Sequence, residues 1–241
     1  LTGRLDARVD GAIATVTITN PRKRNVMTAD MWRALPTVLS SLAADPAVRV
    51  LVLRGADGTF CAGADLANIA EAYPGGEDSI VTRAEAALVA FPRPTVAYVE
   101  GYAIGGGCQL AVACDLRFAA ADAVLGVPPG KLGIVYPHAS TRRLVSVVGP
   151  ATAKYLLFSG DPVGAPRAAE LGLVDEIATP DRLAEFTATL TSRSPMSLAA
   201  AKAFVESTDP AVVEHWHRVG IASPDRVEGV AAFHEKRPAR F

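Results

Sequence analysis

Along residues 13–19, Ile13, Thr15, Thr17 and Thr19 face one way and Ala14, Val16 and Ile18 the other. A period of two predicts a half-buried strand. Asn20-Pro21 ends it, and Arg22-Lys23-Arg24-Asn25 follows as a basic loop. Thr28 is placed to cap a helix from Ala29, with Asp30 in its first turn. Met31, Leu35, Val38, Leu39 and Leu42 supply that helix's apolar stripe, and Pro36 inside it is expected to kink or split the helix. Residues 48–54 and 95–99 are too continuously apolar to face water and predict buried strands.

Between these strands, residues 72–79 (Ala-Tyr-Pro-Gly-Gly-Glu-Asp-Ser) predict a mobile loop, and Ile80 to Ala90 a helix. The strand at 95–99 runs into Gly101-Tyr102-Ala103-Ile104-Gly105-Gly106-Gly107, then a helix over Cys108 to Ala113 and a strand over Leu116 to Ala119. From Arg142 onward the pattern is mostly helical, broken at Gly149-Pro150, Gly160-Asp161-Pro162, Thr179-Pro180, Ser194-Pro195 and Ser223-Pro224. Strands dominate the first half and helices the second, which predicts one α/β domain of repeated strand–strand–helix units with a helical C-terminal region.

The composition narrows the function classes. Of 241 residues, 50% are apolar, and 24 basic side chains face 25 acidic ones. That excludes a disordered chain and gives no broad electrostatic footprint for nucleic acid or an anionic membrane. No apolar run is long enough to span a bilayer, and the first residues lack the apolar core of a signal peptide. Cys61, Cys108 and Cys114 are odd in number with no C-x-x-C pair, so neither a disulfide framework nor a metal site is expected, and the cytoplasm is the default compartment. The two helix cysteines, Cys108 and Cys114, are read as small buried residues, and Asp115 as a cap or ion pair.

Three glycines between a buried strand and a helix imply a close approach to the backbone. A dinucleotide fingerprint from Gly105 lacks its third glycine, since Leu110 stands there, and a P-loop from Gly101 would need lysine where Gly107 stands. Two readings remain. One is a tight turn with close strand–helix packing. The other is a set of helix N-terminal N–H groups aimed at a carbonyl that becomes an oxyanion.

Phe60-Cys61-Ala62-Gly63-Ala64-Asp65-Leu66 is followed about forty residues later by Gly101 to Ala111 and Cys114-Asp115. Together with Pro21 to Asn25, Gly160-Asp161-Pro162, Ala168 to Val174 and Ala232 to Pro238, this order resembles the crotonase (enoyl-CoA hydratase/isomerase) superfamily over nearly the whole chain. The resemblance implies a spiral of ββα units over residues 1–185, with a helical region over 186–241 that packs on the core and a neighbouring subunit in a homotrimer or dimer of trimers. It implies an acyl-CoA or enoyl-CoA thioester as substrate, with coenzyme A entering as part of it and no permanently bound cofactor. The N–H groups of Ala64 and Gly106 would form an oxyanion hole. Ala62, Asp65 and Leu66 would bind the CoA moiety, and Lys23 or its arginine neighbours would lie near its phosphates. Phe233 and Lys236 match a pair that reaches the CoA of a neighbouring subunit. Apart from the resemblance, the basic loop reads as a solvated charge run and Phe233 as helix packing.

The chain departs from the hydratase pattern where the chemistry is densest. The two glutamates that would act as base and acid are replaced by Gln109 and Pro129. An amide orients but takes up no proton near neutral pH. Tyr136 resembles the catalytic tyrosine of methylmalonyl-CoA decarboxylases, although the histidine those enzymes carry at the Ala64 position is missing. His138 is the other titratable candidate, against its reading as a packed or exposed loop residue. Glu71, Glu77 and Asp78 are loop carboxylates that could swing in. The readings left open are an enolate-forming lyase or isomerase, an acyl-CoA binder without catalysis, and a decarboxylase.

Overall fold

The alternating stretch is strand β2 (Ile13–Thr19), with Ala14, Val16 and Ile18 fully buried. It lies second in a six-stranded sheet of a computed structural model that describes residues 3–74 and 78–241. Ahead of it, β1 (Arg4–Asp10) pairs antiparallel at the sheet edge and is exposed along its length except at half-buried Leu5. β3 (Val50–Gly55), β4 (Thr95–Val99), β6 (Leu116–Ala119) and β9 (Glu176–Ile177) then add in parallel, in the order β1-β2-β3-β4-β6-β9. A second, smaller sheet has the order β5 (Tyr102–Ile104), β7 (Val124–Gly126), β8 (Val163–Gly164). Single bridges Met27–Ala64 and Cys61–Ala103 prolong that smaller layer toward the N-terminal repeats.

The repeat follows from this geometry. Each turn of chain leaves the large sheet, touches the small layer and returns as helix. β2 leads through Met27 to α1 (Ala29–Ala44), and β3 through Cys61 and Ala64 to α2 (Ile69–Ala72) and α3 (Ile80–Val89). β4 leads through β5 to α4 (Gly106–Ala113), and β6 through β7 to α5 (Pro129–Leu132) and α6 (His138–Ser159). Buried residues of α1, α3 and α4 fill the space between the layers, with Trp32, Leu35, Leu88 and Leu110 among the most buried.

Helix ends sit where side chains can satisfy them. Thr28 accepts from Met31 N–H, and Ser79 with Thr82 forms a reciprocal capping box. α7 (Ala165–Glu170) precedes four helices that each begin with proline: α8 (Pro180–Thr191), α9 (Pro195–Glu206), α10 (Pro210–Ala222) and α11 (Pro224–His234). Thr179, Ser194, Asp209 and Ser223 cap these four with their side chains.

Pro36 does not split α1, contrary to the expectation from its position. Met31, Trp32, Leu35, Leu39 and Leu42 are buried on both sides of it, and this tertiary burial holds the helix across the lost hydrogen bond. Gly149, at φ 76° and ψ 165°, interrupts α6 where Gly149-Pro150 predicted a break. Asp115 accepts from Thr95 N–H at 2.8 Å and pairs with Lys202 of α9 at 2.9 Å, so it ties the C-terminal helices to the foot of α4. No helix among the described residues is long and apolar enough to cross a membrane.

Candidate active site

Two turns from neighbouring repeats meet at one wall of a cleft of about 350 Å³. The first is pinned by Met27, whose N–H donates to Gly63 O at 2.8 Å and whose carbonyl accepts from Asp65 N–H at 2.9 Å. Ala64 lies between those two bonds, so its own N–H is directed away from Met27. The second turn is anchored by Cys61, whose N–H donates to Tyr102 O and whose carbonyl accepts from Ile104 N–H. Gly105 then takes φ 58° and ψ −121°, a conformation costly for residues with a Cβ, and swings the chain into α4. Gly107 is required by space instead, because a Cβ there would stand 2.0 Å from Cys61 O.

As a result Ala64 N–H and Gly106 N–H, neither of which donates within the described chain, lie side by side. A Cβ placed on Gly106 would be 3.4 Å from Ala64 N and 3.0 Å from Trp32 Cζ2. Gly106 is the first residue of α4, whose free N–H groups and dipole favour negative charge at this point. A carbonyl oxygen seated here would be held by two donors that need no reorganisation as it gains charge.

The cleft is lined by Lys23, Ala62, Ala64, Asp65, Leu66, Gly106 and Tyr136, seven of the residues singled out from the sequence. Lys23 Nζ donates to Asp65 Oδ2 at 2.7 Å at its rim, and this bond holds the Asp65 carboxyl below the usual carboxylate range. Beside it a second groove of about 380 Å³ shares Ala62, Ile104 and Pro128 and carries Arg24 and Lys131. The Arg24 guanidinium lies over the Tyr102 ring, 5.2 Å from its centroid.

Gln109 is buried one layer deeper, at 5% exposure. It lines an inner cavity of about 10 Å³ with Tyr136, Ser140, Thr141 and Arg143, so Tyr136 stands in the wall between cavity and cleft. Gln109 Oε1 accepts from the Tyr73 hydroxyl at 2.9 Å, which leaves Nε2 buried without a partner. The Tyr73 and Tyr136 rings are parallel with centroids 5.9 Å apart. Burial pushes both phenols up, so both stay protonated donors near neutral pH. The Tyr136 hydroxyl lies against Gly105, 3.2 Å from where a Cβ would be.

Other candidates stand apart from this cluster. His138 is exposed at the first turn of α6 and outside the residues that line the cleft. Phe233 is 81% exposed near the end of α11, and Lys236 follows it at φ 54°; neither reaches the cleft of its own chain. Pro129 is buried at the start of α5 and offers no proton chemistry. Glu71 pairs with Arg33, and Asp78 pairs with Arg83 at 2.8 Å, both on the surface. Glu77 lies outside the described residues. Cys61, Cys108 and Cys114 are free and buried, their thiols pushed up to about 12 by burial, so they are not nucleophiles.

Tyr73, Ser140, Arg143 and Glu85 were not singled out from the sequence. Glu85 is a lone acid in the apolar run of α3, and Tyr73 a lone aromatic beside a glycine-rich stretch. Those contrasts were the available signals.

Two turns from successive ββα units, presenting paired N–H groups at the start of a buried helix, are the architecture of a crotonase-type fold. The enoyl-CoA hydratase/isomerase family model matches residues 8–241, and the chain belongs to that family. It is 32% identical over 244 residues to the crotonyl-CoA hydratase of Syntrophomonas wolfei, covering 95% of this chain and 94% of that one. It is also 32% identical over 248 residues to mitochondrial enoyl-CoA hydratase domain-containing protein 2 of Mus musculus, covering 95% and 84%. A crystal structure of an enoyl-CoA hydratase/isomerase family member superposes with a TM-score of 0.94 at 38% identity, covering 100% of this chain and 97% of that one.

Proposed function

We propose that this protein binds an acyl-CoA or enoyl-CoA thioester and stabilises its enolate at the N–H groups of Ala64 and Gly106. The observation that carries the reading is the convergence of these two unengaged donors on the cleft wall. Lys23, Ala62, Asp65 and Leu66 would take the CoA moiety, with Arg24 and Lys131 of the adjoining groove as phosphate partners. Coenzyme A enters as part of the substrate, with no permanently bound cofactor. The exposed apolar residues Ile221, Val227, Val230 and Phe233 of the C-terminal helices support assembly as a homotrimer or dimer of trimers, and the three free thiols fit the cytoplasm.

The acyl end sets the reaction type. Gln109 and Pro129 offer no carboxylate, so two-carboxylate hydration is not the favoured chemistry. Tyr136, in the cleft wall, acts as a hydrogen-bond donor to the acyl group, and Gln109, held by Tyr73, lies in the cavity behind it. A second reading, loss of CO₂ from a malonyl-type thioester, is favoured by the Tyr136 hydroxyl standing beside Gly105, next to the hole. Bond cleavage itself would generate the enolate there, without a strong base.

The test compares the wild type with Gly106→Ala, whose methyl group would intrude between Trp32 and Ala64 N. Both are incubated with crotonyl-CoA, a 3-enoyl-CoA and methylmalonyl-CoA, with products followed by mass spectrometry beside a binding titration. Turnover by the wild type should fall about 10²–10³-fold in the variant while binding persists. Tight binding with no turnover of any of the three by the wild type would instead establish a binder.

A further inference from the structure

With Gln109 and Pro129 at the two positions where carboxylates were expected, no carboxylate among the described residues stands at the acyl end of the cleft. One lies behind it. Glu85 of α3 is 1% exposed. Its Oε2 accepts from Ser140 Oγ and from Arg143 Nη1, each at 2.7 Å, while its Oε1 is buried with no partner. Ser140 and Arg143 also line the inner cavity, which Tyr136 shares with the cleft. On its other side Glu85, with Arg143, lines an open pocket of about 370 Å³ that reaches solvent. Solvent, Glu85, inner cavity and cleft therefore form one continuous series. The cavity has room for one water, and the unpartnered Gln109 Nε2 and the Ser140 hydroxyl are polar groups that could hold it.

We propose that Glu85 is the proton reservoir of this site, exchanging the α-proton of a bound acyl-CoA with solvent through Ser140, one cavity water and Tyr136. The inference rests on the enolate reading above. In the forward step the Cα–H bond breaks and its electron pair becomes the enolate π bond. The carbonyl π pair moves onto the oxygen facing Ala64 and Gly106. In one concerted shift the Glu85 carboxylate takes the Ser140 hydroxyl proton, Ser140 takes one from the water, the water takes the Tyr136 hydroxyl proton, and the Tyr136 oxygen takes the proton leaving carbon. The reverse sequence returns a solvent-derived proton to carbon. Burial raises the Glu85 carboxyl above the ordinary range, against the opposing pull of Ser140 and Arg143, which suits it to hold a proton nearer neutral pH. Among the described residues, the other charged and titratable groups around it are Arg143 of α6, Tyr73, Tyr136, and Asp78 and Arg83 at the start of α3.

Glu85 touches no substrate and acts through Ser140, so its test needs a readout that packing alone would not move. The full chain is incubated with butyryl-CoA in D₂O, α-deuterium uptake is followed by mass spectrometry across pH, and butyryl-CoA binding is titrated in parallel. Wild-type exchange should rise with pH through a group titrating above the usual carboxylate range. Glu85→Gln should lower it by at least about tenfold, flatten that profile and leave binding unchanged. Tyr136→Phe should lower it similarly, and the two changes together no further than either alone. Because Glu85→Gln strands Arg143, the uncharged pair Glu85→Gln/Arg143→Met serves as the folded control and should stay slow. Wild-type exchange rates in that folded pair would overturn the reservoir while leaving the enolate reading intact. A wild type that binds butyryl-CoA without exchange would overturn both.

Discussion

The two ends of the cleft carry the same kind of ion pair under opposite conditions. At the mouth, Lys23 and Asp65 meet at 2.7 Å with the lysine side chain 57% exposed. Behind the acyl end, Arg143 and Glu85 also meet at 2.7 Å, with the glutamate side chain at 1% and the arginine at 21% exposure. The separations are equal, but the energetics are not. Water screens the outer pair, and the order imposed on two mobile side chains offsets much of its attraction. The inner pair has left its hydration behind, and with Oε1 unpartnered the desolvation is only partly compensated. The outer pair shapes the rim of the cleft. The inner one is held at a cost in stability that the outer one escapes.

That contrast breaks first at the inner pair. Arg143→Met leaves Glu85 buried beside Ser140 alone and should destabilise the fold by about 3–5 kcal/mol, measured as a shift in urea midpoint. The pH dependence sharpens it. Because the folded carboxyl of Glu85 is raised above its unfolded value, near 4.5, its contribution to stability is full below that value and is lost as pH rises through the folded pKa. Wild-type stability should therefore decline over this interval relative to Glu85→Gln, a difference that paired denaturation curves at several pH values would detect. The smallest effect belongs to the mouth. Lys23→Ala should change stability by at most about 1 kcal/mol, and its consequence should appear in the KM for acyl-CoA with kcat nearly constant.

What could be read from the chain divides along similar lines. Strands β2, β3, β4 and β6 announce themselves because each has a face or a whole length that must avoid water, and the four C-terminal proline starts carry their own caps. Three of those starts were legible, and the fourth, Asp209-Pro210, follows the same rule. β1 was missed because it is exposed along most of its length, with Leu5 its one half-buried apolar residue. Pro36 misled because a local rule was overruled by the burial of Trp32 and Leu35. Within the site, the two turns were legible through their small residues, since close backbone approach permits few alternatives. Tyr73, Ser140, Arg143 and Glu85 were not. Each is an ordinary residue in its own segment, and only the folding of α3 and the end of α2 against α6 and α4 brings them to one place.

The contact between Gly107 and the Cys61 carbonyl has a further consequence. The pair of amides belongs to neither turn alone, because one is contributed by the second repeat and the other by the third. A molecule in which these repeats have formed but not yet docked has no half-strength version of the site. The proposed site is thus completed only by assembly of the spiral itself, and ligand binding there would select for chains whose middle repeats are fully seated.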